Sequence, residues 1–349
     1  MAFSKEQRDL YIAQIFIHLK YAQEKPATIA QNLHISKQTV YNYIHYLIAN
    51  GHLYKDPKTN NLKPRYKIEN KTYVLAELDE SAVWEEFIAP KVAQQKQNVI
   101  EILEYGFTEI LNNAIDHSES KNVKIYFVED FASIRIVIRD YGIGIFKKIQ
   151  TAFHLNSANH AILELAKGKC TTDPERHTGE GIFFSSKMFD WFGISANNLV
   201  YTAKNGLDTS FLFEGMSSYV ETNNPNGTEV FMEITKTSTL TAQAIFDQFT
   251  SDETCSFDRT VVSVIHLIDR KNTSDMTLIS RSQAKRLLSG FERFSQISLD
   301  FEGITRIGQG FADEIFRVYK NSHPDITISY IHANDAVEKM IKHAQNQHL

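Results

Sequence analysis

Four short boxes of glycine, asparagine and acidic residues occur in a fixed order in the middle of this 349-residue chain. The boxes are residues 107–117 (FTEILNNAIDH), 139–145 (RDYGIGI), 177–182 (HTGEGI) and 226–228 (NGT). Each box alone is a weak signal, because a short glycine motif is more often a plain turn. Glycines before a helix are typical of phosphate sites, and oxygen ligands are typical of Mg²⁺ sites. Together the boxes predict a site for ATP and Mg²⁺ that is not a P-loop.

The composition favours a globular protein and excludes some classes of partner. Hydrophobic residues make up 42% of the chain, and the net charge is only −5. Any nucleic-acid contact therefore has to come from a local basic patch. No apolar run approaches the roughly 20 residues that a membrane span needs, so no membrane partner is expected. The first residues show no secretory leader, and we expect a cytoplasmic protein.

The texture of the sequence changes twice and predicts a multidomain α+β protein. Residues 1–75 are helical and then basic and turn-rich, residues 76–240 hold the four boxes, and residues 255–349 alternate strands with helices. The two cysteines, Cys170 and Cys255, lie far apart and match no metal-ligand spacing. We therefore expect neither a disulfide nor a zinc site.

The N-terminal segment predicts three helices joined by short turns. They are expected over residues 8–21, 29–33 and 37–50, with Ser36 as the N-cap of the third and Gly51 after its end. The predicted buried stripe of the third helix is Val40, Ile44, Leu47 and Ile48. The polar side chains on the rest of this helix suit base edges and phosphates.

A basic hairpin is expected after the third helix, over residues 52–67. The candidate DNA-binding residues are Lys37, Gln38, Thr39, Tyr41 and Asn42 on the helix and Arg65 in the hairpin. Residues 27–41 (ATIAQNLHISKQTVY) resemble the helix-turn-helix of bacterial winged-helix regulators, which implies a winged helix that binds DNA. The open alternative is a module for protein docking or dimerisation whose charged hairpin is merely solvated.

The first box lies on a predicted helix over residues 98–117. Glu109, Asn113 and His117 are spaced at i, i+4 and i+8 and form a polar row along it. An asparagine oxygen together with nucleotide phosphates can hold Mg²⁺, which keeps several waters. Glu109 is placed to accept a proton from an attacking water or hydroxyl.

The other boxes fall at strand ends and helix starts. Strands are expected over residues 122–128 and 133–139, and Asp140 at the end of the second is the predicted acceptor of the adenine amine. Gly142 and Gly144 would let the backbone approach the purine. Thr178, Gly179 and Gly181 precede a helix predicted over residues 182–192, whose free N–H groups suit phosphates; the roughly 30 residues between the glycine boxes read as a lid. Thr228, before a strand over residues 229–234, is expected to support Asp140 or a water.

Residues 98–236 resemble the GHKL superfamily of ATPases, the Bergerat α/β-sandwich fold of DNA gyrase, histidine kinases and MutL. The resemblance implies that Glu109 is the general base, Asn113 the Mg²⁺ ligand and Asp140 the adenine ligand. It implies that the remaining nucleotide-binding residues are Gly142, Gly144, Thr178, Gly179, Gly181 and Thr228. Residues 76–106 contain no histidine, which disfavours autophosphorylation of the histidine-kinase type. The pattern Glu-x-x-x-Asn-Ala-x-x-His is most similar to the anti-sigma-factor serine kinases.

The C-terminal segment predicts alternating strands and helices. Strands are expected over residues 261–269, 296–301 and 326–331, with a helix over residues 311–319. The segment resembles STAS domains, the fold of anti-sigma-factor antagonists, in a STAS-like version of unknown function. The loop-to-helix junction, residues 307–310 (IGQG), lacks the hydroxyl that is phosphorylated in that system, so we expect docking or self-association.

The order of these segments predicts an ATP-binding bacterial transcription regulator. Mg-ATP binding or hydrolysis would control the contact of the helix-turn-helix with DNA or with a protein partner. Two alternatives stay open: a serine/threonine kinase that acts on a separate partner, and a module that binds ATP with negligible turnover.

Overall fold

The computed structural model describes residues 3–172, 178–204, 226–251, 256–268 and 276–346. Its architecture is mixed α/β, which confirms the prediction that the chain combines helices and strands. His177 and Cys255, both named above, lie outside the described residues. The chain divides into two compact units. The N-terminal unit is Met1–Gly142, Ser185–Ser195 and Thr202–Thr241, and the C-terminal unit is Ile143–Phe184, Ala196–Tyr201 and Ala242–Leu349.

The N-terminal unit begins with α1 (Lys5–Ile17), a π-helical turn (His18–Ala22), α2 (Pro26–Asn32) and α3 (Lys37–Ala49). Proline fits the first turn of a helix, which explains why α2 starts earlier than residue 29. The Ser36 hydroxyl accepts the Thr39 N–H at 3.0 Å and caps α3 as predicted. The expectation for Ile48 was wrong: its side chain is 40% exposed, because Val40, Ile44 and Leu47 already form the core stripe of α3.

The predicted hairpin is present as β1 (Leu53–Lys55) paired antiparallel with β2 (Leu62–Pro64). Asp56 shapes its turn by accepting the Lys58 N–H at 2.8 Å and pairing with Lys63 at 2.5 Å. The hydrogen bond from Lys63, with the backbone bonds, lowers the pKa of Asp56 to about 2. The turn thus keeps its acidic group ionised.

Six of the described strands form one sheet in the order β3-β4-β5-β8-β6-β7. The strands are β3 (Lys67–Val74), β4 (Asn122–Glu129), β5 (Ser133–Asp140), β6 (Trp191–Ala196), β7 (Leu199–Lys204) and β8 (Thr228–Thr235). β5 is antiparallel to both β4 and β8, and its register pairs Arg139 with Glu229. Asp140 is therefore the last residue of a central strand.

The first helices share their core with the tip of the hairpin between β4 and β5. Ala132, at that tip, is 2% exposed and belongs to the cluster that contains Phe16 and Ile29. The rings of Phe131 and Phe16 lie 5.6 Å apart. The loop of the sheet therefore completes the apolar core of the helices.

A buried ionic cluster also joins the π-helical turn after α1 to the sheet. Its members are Lys20, Asp130, Ser133, Arg135 and Glu233. Lys20 Nζ lies 2.5 Å from Asp130 Oδ2 and also bonds Glu233, and Arg135 Nε donates to Glu233 Oε2 at 2.7 Å. Burial acts to raise the pKa of Glu233, but the charges of Arg135 and Lys20 outweigh it and hold this pKa well below its usual range. Removing one partner from such a cluster leaves an uncompensated buried charge.

A long helix packs on the sheet and carries the first box. The chain forms α4 (Glu80–Val83), a π-helical turn (Trp84–Ile88), α5 (Ala89–Val92) and then α6 (Gln97–His117). The buried face of α6 includes Ile102, Gly106 and Ile110, which have the predicted helical spacing. A Cβ on Gly106 would overlap the Phe189 ring, so this glycine allows the helix to lie close to its neighbours.

The helix predicted over residues 182–192 is shorter in the structure. Among the described residues, three helices follow β5 before the next strand: α7 (Ile145–Ala152), α8 (Ala158–Lys167) and α9 (Gly181–Met188). α9 ends at Met188, and Trp191 already starts β6. The Asp190 carboxylate accepts the Thr235 N–H at 2.6 Å and fixes the turn at this point. A continuous apolar run suits a buried strand as well as a helix, which is why the pattern was ambiguous.

The C-terminal unit contains a parallel sheet of three described strands in the order β13-β11-β9. Its elements after the large sheet are α10 (Ala242–Phe249), β9 (Arg259–Ser263), β10 (Thr277–Leu278), α11 (Arg281–Leu288), β11 (Gln296–Asp300), β12 (Arg306–Ile307), α12 (Gln309–Asp313), a π-helical turn (Glu314–Tyr319), α13 (Lys320–Ser322), β13 (Thr327–Ile331) and α14 (Asp335–Gln345). None of the helices that the structure describes combines the length and the apolar character needed to cross a membrane.

The strand predicted over residues 261–269 was wrong in its second half. β9 ends at Ser263, and a 3-10 turn over Val264–Leu267 follows. The turn buries Val264 and Leu267, so the apolar run is satisfied without an extended strand. Residue 269 lies outside the described residues.

Candidate functional site

Asp140 is a buried carboxylate at the end of β5. It is 5% exposed, and its Oδ1 accepts the N–H groups of Gly142 at 2.9 Å and Thr228 at 3.1 Å. No lysine or arginine of the described chain forms an ion pair with it. Burial raises the pKa of Asp140, and the hydrogen bonds from Gly142 and Thr228 oppose that rise. The carboxylate is thus a buried acceptor that two backbone N–H groups hold in place.

The backbone around Asp140 is packed at the closest distances that glycine permits. A Cβ on Gly142 would overlap the carbonyl oxygen of Ser118, the C-cap residue of α6. A Cβ on Gly227, whose φ is +94°, would overlap the Asp140 carbonyl oxygen. Gly142 was predicted to let the backbone approach a purine, and the structure shows that it also allows close packing within the protein. It joins the strand end to the helix end.

Glu109, Asn113 and His117, which were predicted to form a polar row along a helix, all lie on α6. Glu109 and Asn113 are half-buried and stand one turn apart. Asn113 Nδ2 donates to the Glu109 carbonyl oxygen at 2.7 Å, so the amide nitrogen is used within the helix. This bond leaves Oδ1 as the end of the side chain that can accept a donor or bind a cation. An amide oxygen is a ligand that Mg²⁺ accepts.

Gly144 lies in the C-terminal unit and begins α7. Its φ is +84°, a conformation that L side chains rarely adopt, and a Cβ there would overlap the Asn197 side chain. Asn197 Oδ1 accepts the Lys147 N–H at 3.1 Å, and its Nδ2 donates to the Ile143 carbonyl oxygen at 3.0 Å. Asn197 therefore holds the first turn of α7. The sequence analysis missed this residue, although the pair Asn197-Asn198 is a turn signal.

The third box, of which residues 178–182 are described, also lies in the C-terminal unit. Thr178 is exposed, Gly181 is the first residue of α9, and Gly179 packs its backbone on the backbone of Cys170, which is a free cysteine. Burial raises the pKa of Glu180, against the effects of Lys169 and the Thr178 hydroxyl. Exposed N–H groups at such a helix start are suited to anions.

The structure brings only some of the predicted site residues into direct contact. Asp140, Gly142 and Thr228 are joined by hydrogen bonds in the N-terminal unit, where Glu109 and Asn113 also lie. The sequence analysis did not foresee Ser118, and no local pattern marks it. Its role depends on the fold, which brings the end of α6 to the end of β5.

The candidate DNA-binding residues lie on α3 and next to β2. Lys37, Gln38, Tyr41 and Asn42 are exposed, and Gln38 Nε2 donates to Asn42 Oδ1 at 3.0 Å. Thr39 is half-buried, and its hydroxyl lies 2.8 Å from that of Ser36, so it serves the helix cap. Arg65 is exposed, with its guanidinium 5.3 Å from the centre of the Tyr54 ring. These side chains present hydrogen-bond donors and positive charge to solvent.

Another group of possible ligands lies at the end of β11. Asp300, Glu302 and His332 place one ligand atom each within 4.8 Å of one another. His332 Nδ1 lies 2.9 Å from Asp300 Oδ1, so these groups already satisfy each other in part. Exposed acidic groups commonly lie together without an ion, and this arrangement by itself does not define a metal site.

Comparison with known proteins assigns one part of the chain. Residues 283–338 match the family described as the STAS-like domain of unknown function (DUF4325). The match runs from α11 through β11 and β13 into α14. It confirms the STAS-like prediction for this segment, which is a possible protein-interaction domain. No curated protein matches the chain.

Proposed function

We propose that the chain is an ATP-binding regulatory protein of the GHKL type, with a winged helix before the nucleotide-binding domain and a STAS-like domain after it. The observation that carries the proposal is the environment of Asp140. A buried carboxylate without a cationic partner costs stability, and groups perturbed by burial in this way cluster at functional sites. Its position at a strand end, held by N–H groups of the second and fourth boxes, suits the exocyclic amine of adenine.

The other site residues take roles that fit their chemistry. Asn113 would bind Mg²⁺ through Oδ1, Glu109 would act as the general base, and the metal would neutralise phosphate charge when bound. Gly142 and Gly144 would let the backbone approach the purine, Thr178, Gly179 and Gly181 would bind phosphates, and Thr228 would support Asp140. Asn113 fits the role of a Mg²⁺ ligand, because a hydrogen bond within its own helix orients the side-chain amide and leaves its oxygen to bind the ion.

Calorimetry on the full chain tests this proposal. We expect ADP to bind in the presence of Mg²⁺, and the Asn113→Ala variant to lose the dependence on Mg²⁺. Asn112→Ala is the matched control, since Asn112 is the neighbouring half-buried asparagine on the same helix. Absence of heat with any adenine nucleotide at millimolar concentration, with the protein folded, would refute the proposal.

Product analysis after incubation with Mg-ATP separates the possible activities. Free phosphate indicates an ATPase, transfer to a partner indicates a protein kinase, and intact ATP indicates a binding module. Glu109→Gln should bind nucleotide normally and lose turnover by a factor of about 100 or more. The control is Glu104→Gln, an exposed glutamate on the same helix.

We further propose that α3 and the hairpin bind DNA and that the nucleotide changes this binding. Such control requires that the nucleotide bind two arrangements of the chain with different affinity. Fluorescence anisotropy with random-sequence duplex DNA at several salt concentrations measures the contact. Arg65→Ala should lower the slope of log affinity against log salt by about one if Arg65 contacts a phosphate. Equal DNA affinity with ATP, with ADP and without nucleotide would remove the regulatory part.

A further inference from the structure

A buried lysine bonds α8, which lies between the second and third boxes, to other elements of the C-terminal unit. Lys167, the last residue of α8, is 1% exposed. Its Nζ donates to Glu164 Oε1 at 2.6 Å and to the carbonyl oxygens of Ser289 at 2.7 Å and Arg286 at 3.2 Å. An ammonium group has three N–H donors, so this lysine is fully satisfied. The two carbonyls belong to the end of α11, where positive charge is favourable.

Further bonds surround Lys167 and join the same two segments. The Thr260 hydroxyl, on β9, donates to the Lys167 carbonyl oxygen at 2.7 Å. Lys169 Nζ donates to the Arg293 carbonyl oxygen at 2.9 Å, and Arg293 returns a bond to the Lys169 carbonyl oxygen at 2.8 Å. The junction therefore extends from α8 to both β9 and the chain after α11.

The chemistry of this junction differs from ordinary packing. Burying an ammonium group is costly unless it is paired and hydrogen-bonded, and an apolar side chain would cover the same surface more cheaply. Lys167 instead requires Glu164 on its own helix and the α11 carbonyls at once. A displacement of α8 from α11 would break both bonds to the α11 carbonyls and leave the buried ammonium group with Glu164 alone. The geometry favours movement of the two elements together.

α7 packs against α8 within the same compact unit. We infer that α7 and α8 form one body with the STAS-like domain, so that nucleotide contact with this segment is transmitted directly to that domain. The inference rests on the proposed nucleotide function, because Gly144, the N-cap of α7, and Gly179 beside Cys170 are among the proposed nucleotide-binding residues. The STAS-like domain is then the element that senses the nucleotide. Reciprocally, a ligand of that domain changes nucleotide affinity.

Hydrogen exchange measured by mass spectrometry on the full chain tests the inference in two arms. Without nucleotide, amides of α8 and α11 in the wild type should open with the same free energy, since the two helices open as one unit. With Mg-ADP, exchange should slow by about fivefold or more in both helices. Lys167→Met should abolish the slowing in α11 and keep it in α7.

Two further variants make the result specific. Lys320→Met is the matched control, because Lys320 Nζ donates to the Pro324 carbonyl oxygen at 3.1 Å within the same unit and away from α8. This control should keep the response of α11. Thr260→Val removes the hydrogen bond to the Lys167 carbonyl oxygen with little change of volume, and it should weaken the slowing of exchange in α11. It replaces Lys167→Met as the test variant if Lys167→Met fails to fold.

The outcomes separate the two proposals. Slowing in α7 and α8 with unchanged exchange in α11 of the wild type would overturn the inference and leave the nucleotide proposal intact. No slowing anywhere would overturn the nucleotide proposal and transmission with it, and the nucleotide-free arm would still decide whether α8 and α11 form one body. Different opening free energies for the two helices would show that they do not.

Discussion

The Asp140→Asn substitution removes a negative charge and exchanges one carboxylate oxygen for an amide nitrogen, with almost no change in volume. The asparagine oxygen can keep the hydrogen bonds that Oδ1 accepts from Gly142 at 2.9 Å and Thr228 at 3.1 Å. The other atom of the group changes from an acceptor to a donor. An adenine amine, which is itself a donor, therefore loses its acceptor.

The expected effects on binding and stability have opposite signs. A hydrogen bond to a charged group contributes about 1.5–3 kcal/mol, so affinity should fall roughly 10- to 150-fold. Burial raises the pKa of Asp140 above its ordinary 3.8. The protonated carboxyl group therefore stabilises the fold fully below pH 3.8, and this contribution is lost as the pH rises through the folded-state pKa. At neutral pH the ionised group therefore lowers the free energy of unfolding. The neutral amide should leave the melting temperature unchanged or raised.

Calorimetry with ATP and with ITP, which carries an oxygen where ATP carries the amine, measures the effect. Wild-type protein should prefer ATP, and the Asp140→Asn variant should lose that preference. Asp325→Asn, at an exposed aspartate, should change neither value. A variant that keeps both its affinity and its preference for ATP would show that Asp140 does not bind the base.

Three further outcomes follow from buried groups in the N-terminal unit. Gly142→Ala places a methyl group against the Ser118 carbonyl oxygen and should cost about 1–3 kcal/mol in urea unfolding, and an unchanged midpoint would contradict this packing. Burial raises the pKa of Glu229 to about 7 from 4.5, so wild-type stability should fall by on the order of 3 kcal/mol as pH rises through that interval. Glu229→Gln should remove this slope in thermal unfolding across pH, and parallel curves would argue against it. Glu233→Gln leaves Lys20 undercompensated and should cost about 3–5 kcal/mol in guanidinium unfolding, whereas a loss under about 1 kcal/mol would contradict a buried cluster.

Local patterns predicted the elements that have one strong period. α6 begins and ends within a residue of the prediction, because its apolar spacing over Ile102, Ile110 and Ala114 has no competing interpretation. The strand that ends at Asp140 was also predicted nearly to its bounds. Glycine spacing indicated Gly142 and Gly144 as special positions, and the structure shows that both permit close approaches.

The remainder depends on contacts between distant parts of the chain. The helix over residues 182–192 was predicted too long, because the turn that follows it is held by a bond between Asp190 and the distant Thr235. No local pattern marks Lys20 or Lys167, because their burial depends on partners about 110 or 120 residues away. The roles of the nucleotide residues stay predictions.

The loop between β4 and β5 has a consequence for how this chain can be divided. Because Phe131 and Ala132 complete the core of α1, α2 and α3, those helices alone would expose an apolar cavity to water. A fragment that stops at the hairpin should precipitate or melt without cooperativity. Exchange of this module between related genes would have to carry a matching loop along, so the two stretches are expected to evolve in concert.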